Sequence, residues 1–104
     1  MIRRTKNKML TLGLKEGIFD ITLSDGENYL FDTRRNFYVR AIEDAPDEDY
    51  KTACVHGVSY IPKDTEVKVA GRLDNFYGRW LQVLYRGCMY SVDPRSFEYV
   101  GEKL

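Results

Sequence analysis

The amino-acid sequence contains few of the residues that build metal centres and disulfide frameworks. Its 104 residues include two cysteines, Cys54 and Cys88, and one histidine, His56. At these unrelated spacings they do not supply the four ligands of a tetrahedral zinc site, so we expect no bound metal. Two cysteines are also too few for the dense disulfide framework of a small secreted domain, which indicates a reducing compartment.

Segments that would direct the chain into or across a membrane are also missing. No apolar run approaches the roughly 20 residues that a membrane-spanning helix needs. The basic N-terminus, MIRRTKNKML, is not followed by the apolar core and small-residue cleavage site of a secretory signal. We therefore expect a cytoplasmic protein.

The motifs of catalysis and cofactor binding are absent as well. The chain has no glycine-rich phosphate loop, no G-x-S-x-G nucleophile motif and no pair of carboxylates at positions that would indicate catalysis. Cys54 and His56 would share one face of a strand, but a nucleophile pair also needs a third, orienting group. A buried cysteine beside a surface histidine is the commoner arrangement. The sequence therefore predicts neither a cofactor nor an enzyme.

Neither sign of charge is in excess, because 16 Lys and Arg residues balance 16 Asp and Glu residues. Zero net charge removes the simplest argument for wholesale nucleic-acid binding. The charges are nevertheless unevenly spread, since residues 1–42 carry eight basic against five acidic side chains. An N-terminal basic arm suits contacts with phosphates and equally a frayed, soluble terminus. The candidate phosphate contacts in this arm are Arg3, Arg4, Lys6 and Lys8.

The pattern of apolar residues is typical of β-strands. Phe19, Ile21 and Leu23 alternate with polar residues, as in a strand with one buried face. Asp25-Gly26 and Arg86-Gly87 predict tight hairpins, and Pro94 suits the first turn of a short helical segment. Turn residues recur about every 8–12 positions, the spacing of a meander or barrel. Further strands are predicted over residues 8–14, 29–31, 36–42, 65–73, 80–85, 88–92 and 97–100.

Two parts of the chain resemble each other at a shift of 61 residues. GIFDITLSDGENYLFDTRRNFYV, residues 17–39, matches GRWLQVLYRGCMYSVDPRSFEYV, residues 78–100, at 8 of 23 positions. Residue frequencies alone would give roughly one or two matches. Turn glycine falls on turn glycine, as in a duplicated unit, although two convergent hairpins would also look alike. Duplication predicts equivalent burial within three pairs, which are Leu23 and Leu84, Tyr29 and Tyr90, and Val39 and Val100.

An acidic segment separates the two similar parts. Residues 43–49, EDAPDED, have the composition of a solvated linker. We predict a first β-meander repeat over residues 1–45, an acidic linker and connecting segment over 46–61, and a second repeat over 62–104. Each repeat is too small to be stable alone, so we expect the two to pack as one compact all-β domain.

Several features of the second half have a family likeness. Residues 63–69 look like a diverging turn and second strand, Trp80 like the tryptophan that opens the third strand, and Arg86-Gly87 like a distal hairpin. Pro94-Arg95-Ser96-Phe97 looks like the step before the last short strand. In these features the second half resembles the SH3-like small barrels, including Src-homology 3 and bacterial SH3 domains. The resemblance implies an SH3-like barrel built from two tandem half-repeats, and tudor- and KOW-type barrels share this topology. The Ala-Leu-Tyr-Asp-Tyr signature of peptide-binding members is missing, which argues against binding of proline-rich peptides.

Aromatic residues give the strongest functional signal. Phe76 and Tyr77 fall in a predicted loop, where an exposed aromatic pair is costly unless it contacts a partner. The SH3-like resemblance places Trp80 and Phe97 beside this loop, whereas the internal repeat aligns Trp80 with the core residue Phe19. Both interpretations of Trp80 stay open. The candidate partner-binding residues are Phe76, Tyr77, Trp80 and Phe97, with Arg79 and Arg95 at the rim.

Together these observations favour a non-catalytic protein-binding module. Its small, neutral, barrel-like character is similar to that of many phage and mobile-element proteins that bind and inhibit a host protein. The alternative is a nucleic-acid-binding barrel of KOW or tudor type, with the basic arm on the backbone and the aromatic side chains stacking on bases. We expect the partner to be a protein in preference to a nucleic acid, and we expect no binding to a membrane.

Overall fold

The computed structural model of the chain describes residues 17–48 and 59–104. In these ranges every regular element except one 3₁₀ turn is a β-strand, which confirms the predicted all-β class. None of the described residues forms a helix long and apolar enough to cross a membrane. The strand predicted over residues 8–14 lies outside the described residues, as do Arg3, Arg4, Lys6, Lys8, Cys54 and His56.

Apart from β4 and β5, which were not predicted, the described strands follow the predicted order along the chain. In the described ranges they are β1 Ile18–Thr22, β2 Asn28–Asp32, β3 Phe37–Ala41, β4 Ala45–Pro46, β5 Tyr60–Ile61, β6 Glu66–Asn75, β7 Gly78–Tyr85, β8 Cys88–Val92 and β9 Phe97–Glu102. The 3₁₀ turn, Pro94–Ser96, lies between β8 and β9 and has Asp93 as its N-cap. Pro94 therefore begins a short helical turn as expected, since its ring presets the backbone for a first turn.

The strands form three antiparallel sheets. One sheet has five strands in the order β8-β7-β6-β3-β9, while β1 pairs with β2 and β4 pairs with β5. Among the described residues no ladder of hydrogen bonds joins the outer strands β8 and β9, so the sheets are not closed into the expected barrel.

Both predicted hairpin turns have the positive φ angles that glycine favours. Gly26 has a φ of 79° between β1 and β2, and Gly87 has a φ of 78° between β7 and β8. Asp25 fixes the first turn because its Oδ1 accepts a hydrogen bond of 2.8 Å from the backbone N–H of Glu27. The turn residues in the sequence therefore predicted the positions of both of these turns correctly.

A similar tight turn follows each of these hairpins. Asp32 accepts a hydrogen bond of 3.0 Å from the backbone N–H of Arg34, and Asp93 accepts one of 2.9 Å from that of Arg95. In each turn Nη2 of the same arginine lies close to the aspartate, at 2.7 Å and 2.8 Å respectively. The two turns, 61 residues apart in the sequence, therefore share their local geometry.

One hydrophobic core joins the β1–β2 hairpin to the five-stranded sheet. Phe19, Ile21 and Leu23 are buried, which confirms the alternation predicted for β1. At the centre of the core, the fully buried Phe31 ring lies 5.5 Å from the Phe19 ring and 6.1 Å from the Tyr99 ring. Burial of large apolar side chains from both sheets is what holds the hairpin on the sheet.

The expected equivalence of Leu23 and Leu84 is wrong. Leu23 is 1% exposed, whereas Leu84 is 41% exposed. β7 turns Leu81 and Val83 into the core, and side chains alternate along a strand. Leu84 therefore faces outward, opposite Met89 on β8.

The other two pairs also differ in burial. Val39 is fully buried, but Val100 is only half-buried. The register of β3 and β9 shifts here, so that Val39 pairs with Tyr99, Tyr38 pairs with Gly101, and Val100 is the extra residue of a β-bulge. Tyr90 is buried and Tyr29 is half-buried. Equal burial of the paired residues is thus not observed.

The described part of the acidic segment is only partly packed, since Glu43, Asp44, Pro46 and Glu48 are exposed. Ala45 is buried, and β4 pairs with β5 at Ala45 and Ile61. Its carboxylates are also engaged: Glu43 accepts a hydrogen bond of 2.8 Å from Ser96 Oγ, and Asp47 accepts one of 3.1 Å from the backbone N–H of Ser91. Residues 43–48 are thus mostly exposed, as expected for a linker, but Ala45 anchors them to β5. The domain boundaries at residues 45 and 61 stay a prediction.

The hairpin of β6 and β7 projects beyond the rest of the five-stranded sheet. β3 pairs with β6 only over residues 66–68, and β8 pairs with β7 only from residue 81 onward. The register between β6 and β7 shifts at Ala70, a β-bulge that bends the hairpin. The loop of this hairpin, residues 76 and 77, therefore lies away from the neighbouring strands.

Candidate functional site

The loop of the β6–β7 hairpin presents two aromatic rings to solvent. Phe76 is 97% exposed and Tyr77 is 83% exposed, so the pair is exposed as its loop position predicted. The two rings lie edge to face with their centroids 5.5 Å apart. We call Phe76 and Tyr77 the aromatic tip.

Asn75 holds the aromatic tip in place. Its Oδ1 accepts hydrogen bonds from the backbone N–H of Tyr77 at 2.8 Å and of Gly78 at 3.1 Å. The same oxygen accepts a hydrogen bond of 3.1 Å from the indole Nε1 of Trp80. Sequence analysis missed this role, although asparagine at the start of a tight turn is a known signal for such a side-chain cap.

Trp80 lies at the edge of the candidate site and not in the core. Its side chain is half-buried, and the neighbouring Leu81, on the opposite face of β7, is the residue that belongs to the core. The indole borders a cleft together with Tyr77 and Ile21. This decides between the two interpretations left open by the sequence, since the outward face of β7 carries Trp80.

The cleft has a volume of about 380 Å³ and lies between β1, the aromatic tip and the 3₁₀ turn. We call it the tip cleft. Its apolar wall consists of Ile21, Tyr77, Trp80 and Pro94, and its charged lining consists of Asp20, Arg79, Asp93 and Arg95. Arg79 and Trp80 are adjacent on β7, and both border the cleft. Sequence analysis did not predict the contributions of β1 and Pro94.

Most charges of the tip cleft are neutralised within the protein. Arg72 Nη1 lies 3.0 Å from Asp20 Oδ1, and Arg95 Nη2 lies 2.8 Å from Asp93 Oδ2. Hydrogen bonds from Arg95 hold the pKa of Asp93 below its ordinary value. In the described part of the chain Arg79 has no ion-pair partner. Arg79 is therefore the one guanidinium of the lining that is not paired within the described residues, while Arg72 is shared between Asp20 and Asp74.

Phe97 does not belong to this surface. Its side chain is fully buried, and it starts β9 opposite Ala41 of β3. The resemblance placed Phe97 beside the aromatic loop, but its strand directs the ring into the core. The candidate contact residues that the structure brings together are Phe76, Tyr77, Trp80, Arg79 and Arg95.

Metal-ligating side chains are not clustered in the described residues. Residues 17–48 and 59–104 contain no group of three or more His, Cys, Asp or Glu side chains that could hold a metal ion. Cys88 is a free, half-buried thiol that packs against the core.

Acid is expected to weaken the fold partly through the turn at Asp32. Hydrogen bonds from the Arg34 side chain lower the pKa of Asp32 to about 2. Because the folded chain binds this proton more weakly than the unfolded chain, the contribution to stability is complete above about pH 4 and is lost towards pH 2. Urea unfolding at several pH values should therefore show a smaller acid loss for Asp32→Asn than for the wild type. An equal loss in both proteins would contradict this assignment.

Comparisons with models of protein families, with curated proteins and with solved structures find no match to this chain.

Proposed function

We propose that this protein is a non-catalytic protein-binding module whose contact surface is the aromatic tip with Trp80, Arg79 and Arg95. The observation that carries the proposal is the near-complete exposure of Phe76 and Tyr77 at the end of a projecting hairpin. Two adjacent exposed aromatic side chains have a hydration cost that binding to another surface removes.

The composition and rigidity of the surface support a protein partner. Aromatic residues and arginine are the side chains most enriched at the energetic centres of protein interfaces. The three hydrogen bonds to Asn75 Oδ1 order the loop before binding. A pre-ordered loop loses less conformational entropy on association, so more of the contact energy appears as affinity.

The electrostatics of the described residues favour protein over nucleic acid. Acidic side chains outnumber basic ones in residues 17–48 and 59–104. Many of the basic side chains already pair with carboxylates, namely Arg34, Arg35, Arg40, Arg72, Arg95 and Lys103. A surface that binds nucleic acid needs free cations for the phosphates, so the described surface suits the KOW- or tudor-type function poorly.

The architecture that we propose for the module is SH3-like in strand order. The succession of β6, β7, a tight hairpin, β8, a 3₁₀ turn and β9 is in line with the resemblance of the second half, and leaves β3 as the first strand. Duplication of residues 17–39 as 78–100 is supported by the matching glycine turns and by the matching turns at Asp32 and Asp93. Because the paired residues differ in burial, the two copies must have come to pack differently after the duplication.

A non-catalytic module of this kind acts by covering part of its partner. We extend the proposal to inhibition of a host protein by a phage or mobile-element product, because occupation of a surface is enough to block that surface. The exposed aromatic tip is the part of the described chain best placed to enter a pocket of the target.

Site-specific photocrosslinking tests the proposal. A photoreactive phenylalanine analogue replaces Tyr77 in the full chain, which is expressed in the organism that encodes it. The matched control carries the analogue at Ser24, an exposed position in the turn of the other hairpin. We expect a discrete protein adduct from position 77 and none of the same mass from position 24.

Three outcomes would contradict the proposal. A nuclease-sensitive adduct from position 77 would favour a nucleic-acid partner. An identical adduct from positions 77 and 24 would show that the tip has no special role. The absence of any adduct from position 77, where a reference crosslinking pair reacts under the same conditions, would leave the tip without a partner.

A further inference from the structure

The tip cleft combines three features that point to one kind of occupant. Its lining is apolar at Ile21, Trp80 and Pro94, the guanidinium of Arg79 has no ion-pair partner among the described residues, and residues 20–22 of β1 border it. A cleft of about 380 Å³ lies in the range of volumes that hold a small ligand or a few residues of a peptide.

Within residues 17–48 and 59–104, β1 pairs with β2 alone, so no described strand covers its other edge at this cleft. Leu23 N–H donates to Glu27 O and Thr33 N–H donates to Gly17 O, so the odd-numbered residues of the hairpin direct their main-chain groups towards the partner strand. The even-numbered residues direct theirs away from it, and Asp20 O accepts a hydrogen bond of 3.0 Å from Arg72 Nη1. Thr22 borders the cleft, and its main-chain groups have no partner in the described part of the chain.

We propose that the tip cleft binds an extended peptide segment of the partner that carries an apolar side chain and a nearby carboxylate. This inference rests on the proposed function, since it names the chemistry that the same surface recognises. The apolar side chain packs between Ile21, Trp80 and Pro94. The carboxylate pairs with Arg79, and Thr22 offers main-chain hydrogen bonds to the peptide backbone, as an open strand edge does.

The charge balance favours an acidic segment over a basic or phosphorylated one. Asp20 and Asp93 are each held by an arginine, so a basic peptide would have to displace Arg72 or Arg95. One free guanidinium balances one carboxylate through a charge-assisted hydrogen bond. A phosphate group would require more free cations than the described lining of the cleft supplies.

Selection from a displayed random peptide library tests this inference. Immobilised full-length wild-type protein should enrich peptides with an acidic residue near a large apolar residue. The Arg79→Glu variant should instead enrich peptides with lysine or arginine at the acidic position. Arg86→Glu is the matched control, since Arg86 is an exposed arginine at the other end of β7, and it should enrich the same peptides as the wild type. For a synthetic wild-type-selected peptide, Arg79→Ala should weaken binding by about tenfold.

The possible failures of the two proposals are distinguishable. If the selected peptides lose binding in the Phe76→Ala/Tyr77→Ala variant but not in Arg79→Ala, the acidic-peptide inference is overturned and the protein-binding surface stands. Enrichment of no motif, or of the same motif by wild type and Arg79→Glu, would also overturn the inference. Neither result affects the photocrosslinking test at position 77, which decides the proposed function by itself.

Discussion

Replacement of Phe97 by alanine is expected to lower the free energy of unfolding by about 3–5 kcal/mol, because it deletes a large, fully buried ring. The position is also tied to the β1–β2 hairpin, since Phe97 O accepts a hydrogen bond of 3.1 Å from the backbone N–H of Ser24. Leu84→Ala removes another apolar side chain, but from an exposed site, and should cost less than about 1 kcal/mol. Urea unfolding at neutral pH measures both.

The comparison of these two variants tests the assignment of faces directly. If Phe97→Ala does not fold, Phe97→Leu should show a smaller loss in the same direction, because it leaves a smaller cavity. A loss of partner binding by Phe97→Ala at unchanged stability would instead place Phe97 on the contact surface. A cost for Leu84→Ala as large as that for Phe97→Ala would mean that the outward face of β7 is covered.

Replacement of both Phe76 and Tyr77 by alanine is expected to weaken partner binding by about 2 kcal/mol or more, which is roughly 30-fold in Kd. The melting temperature should stay nearly unchanged, because both rings are largely exposed and contribute little to the core. Titration calorimetry with the purified protein that photocrosslinking identifies measures the affinity, and thermal unfolding measures the melting temperature. Met89→Ala, a partly exposed apolar residue on the outward face of β8, is the control and should change neither readout much.

The opposite result has a clear structural meaning. If the melting temperature falls in step with the affinity, the rings act as a lid on the hydrophobic core and the binding loss follows from unfolding. Unchanged affinity at an unchanged melting temperature would remove the aromatic tip from the contact surface.

Much of the local structure could be predicted from the residues alone. The alternation of Phe19, Ile21 and Leu23 marked a strand and its buried face correctly, and the two Xaa-Gly turns marked the β1–β2 and β7–β8 hairpins. Strand alternation has a period of two residues, and a tight turn requires a particular φ over two residues. Such features are encoded over a few neighbouring positions, so they do not depend on which strands lie nearby.

The errors arose where a side chain depends on distant strands. Leu84 occupies the same place in the internal repeat as Leu23, yet it is exposed, because β7 lies between β6 and β8 and turns its other face to the core. Phe97 was correctly associated with the end of the 3₁₀ turn, but its burial follows from pairing with β3. Residues 43–48 are mostly exposed, as their composition predicts, but the sequence did not show that Glu43 and Asp47 accept hydrogen bonds from Ser96 Oγ and the backbone N–H of Ser91.

The candidate site shows the same division. The sequence by itself determined that Phe76 and Tyr77 lie exposed in a turn, because a short loop between two strands cannot bury both rings. Only the tertiary structure decided that the turn projects, that Asn75 orders it, and that Trp80 borders a cleft. That cleft forms from residues 20–22, 77, 79–80 and 93–95, which are far apart in the chain. Their proximity depends on how the β1–β2 hairpin packs on the five-stranded sheet, and no local pattern encodes that packing.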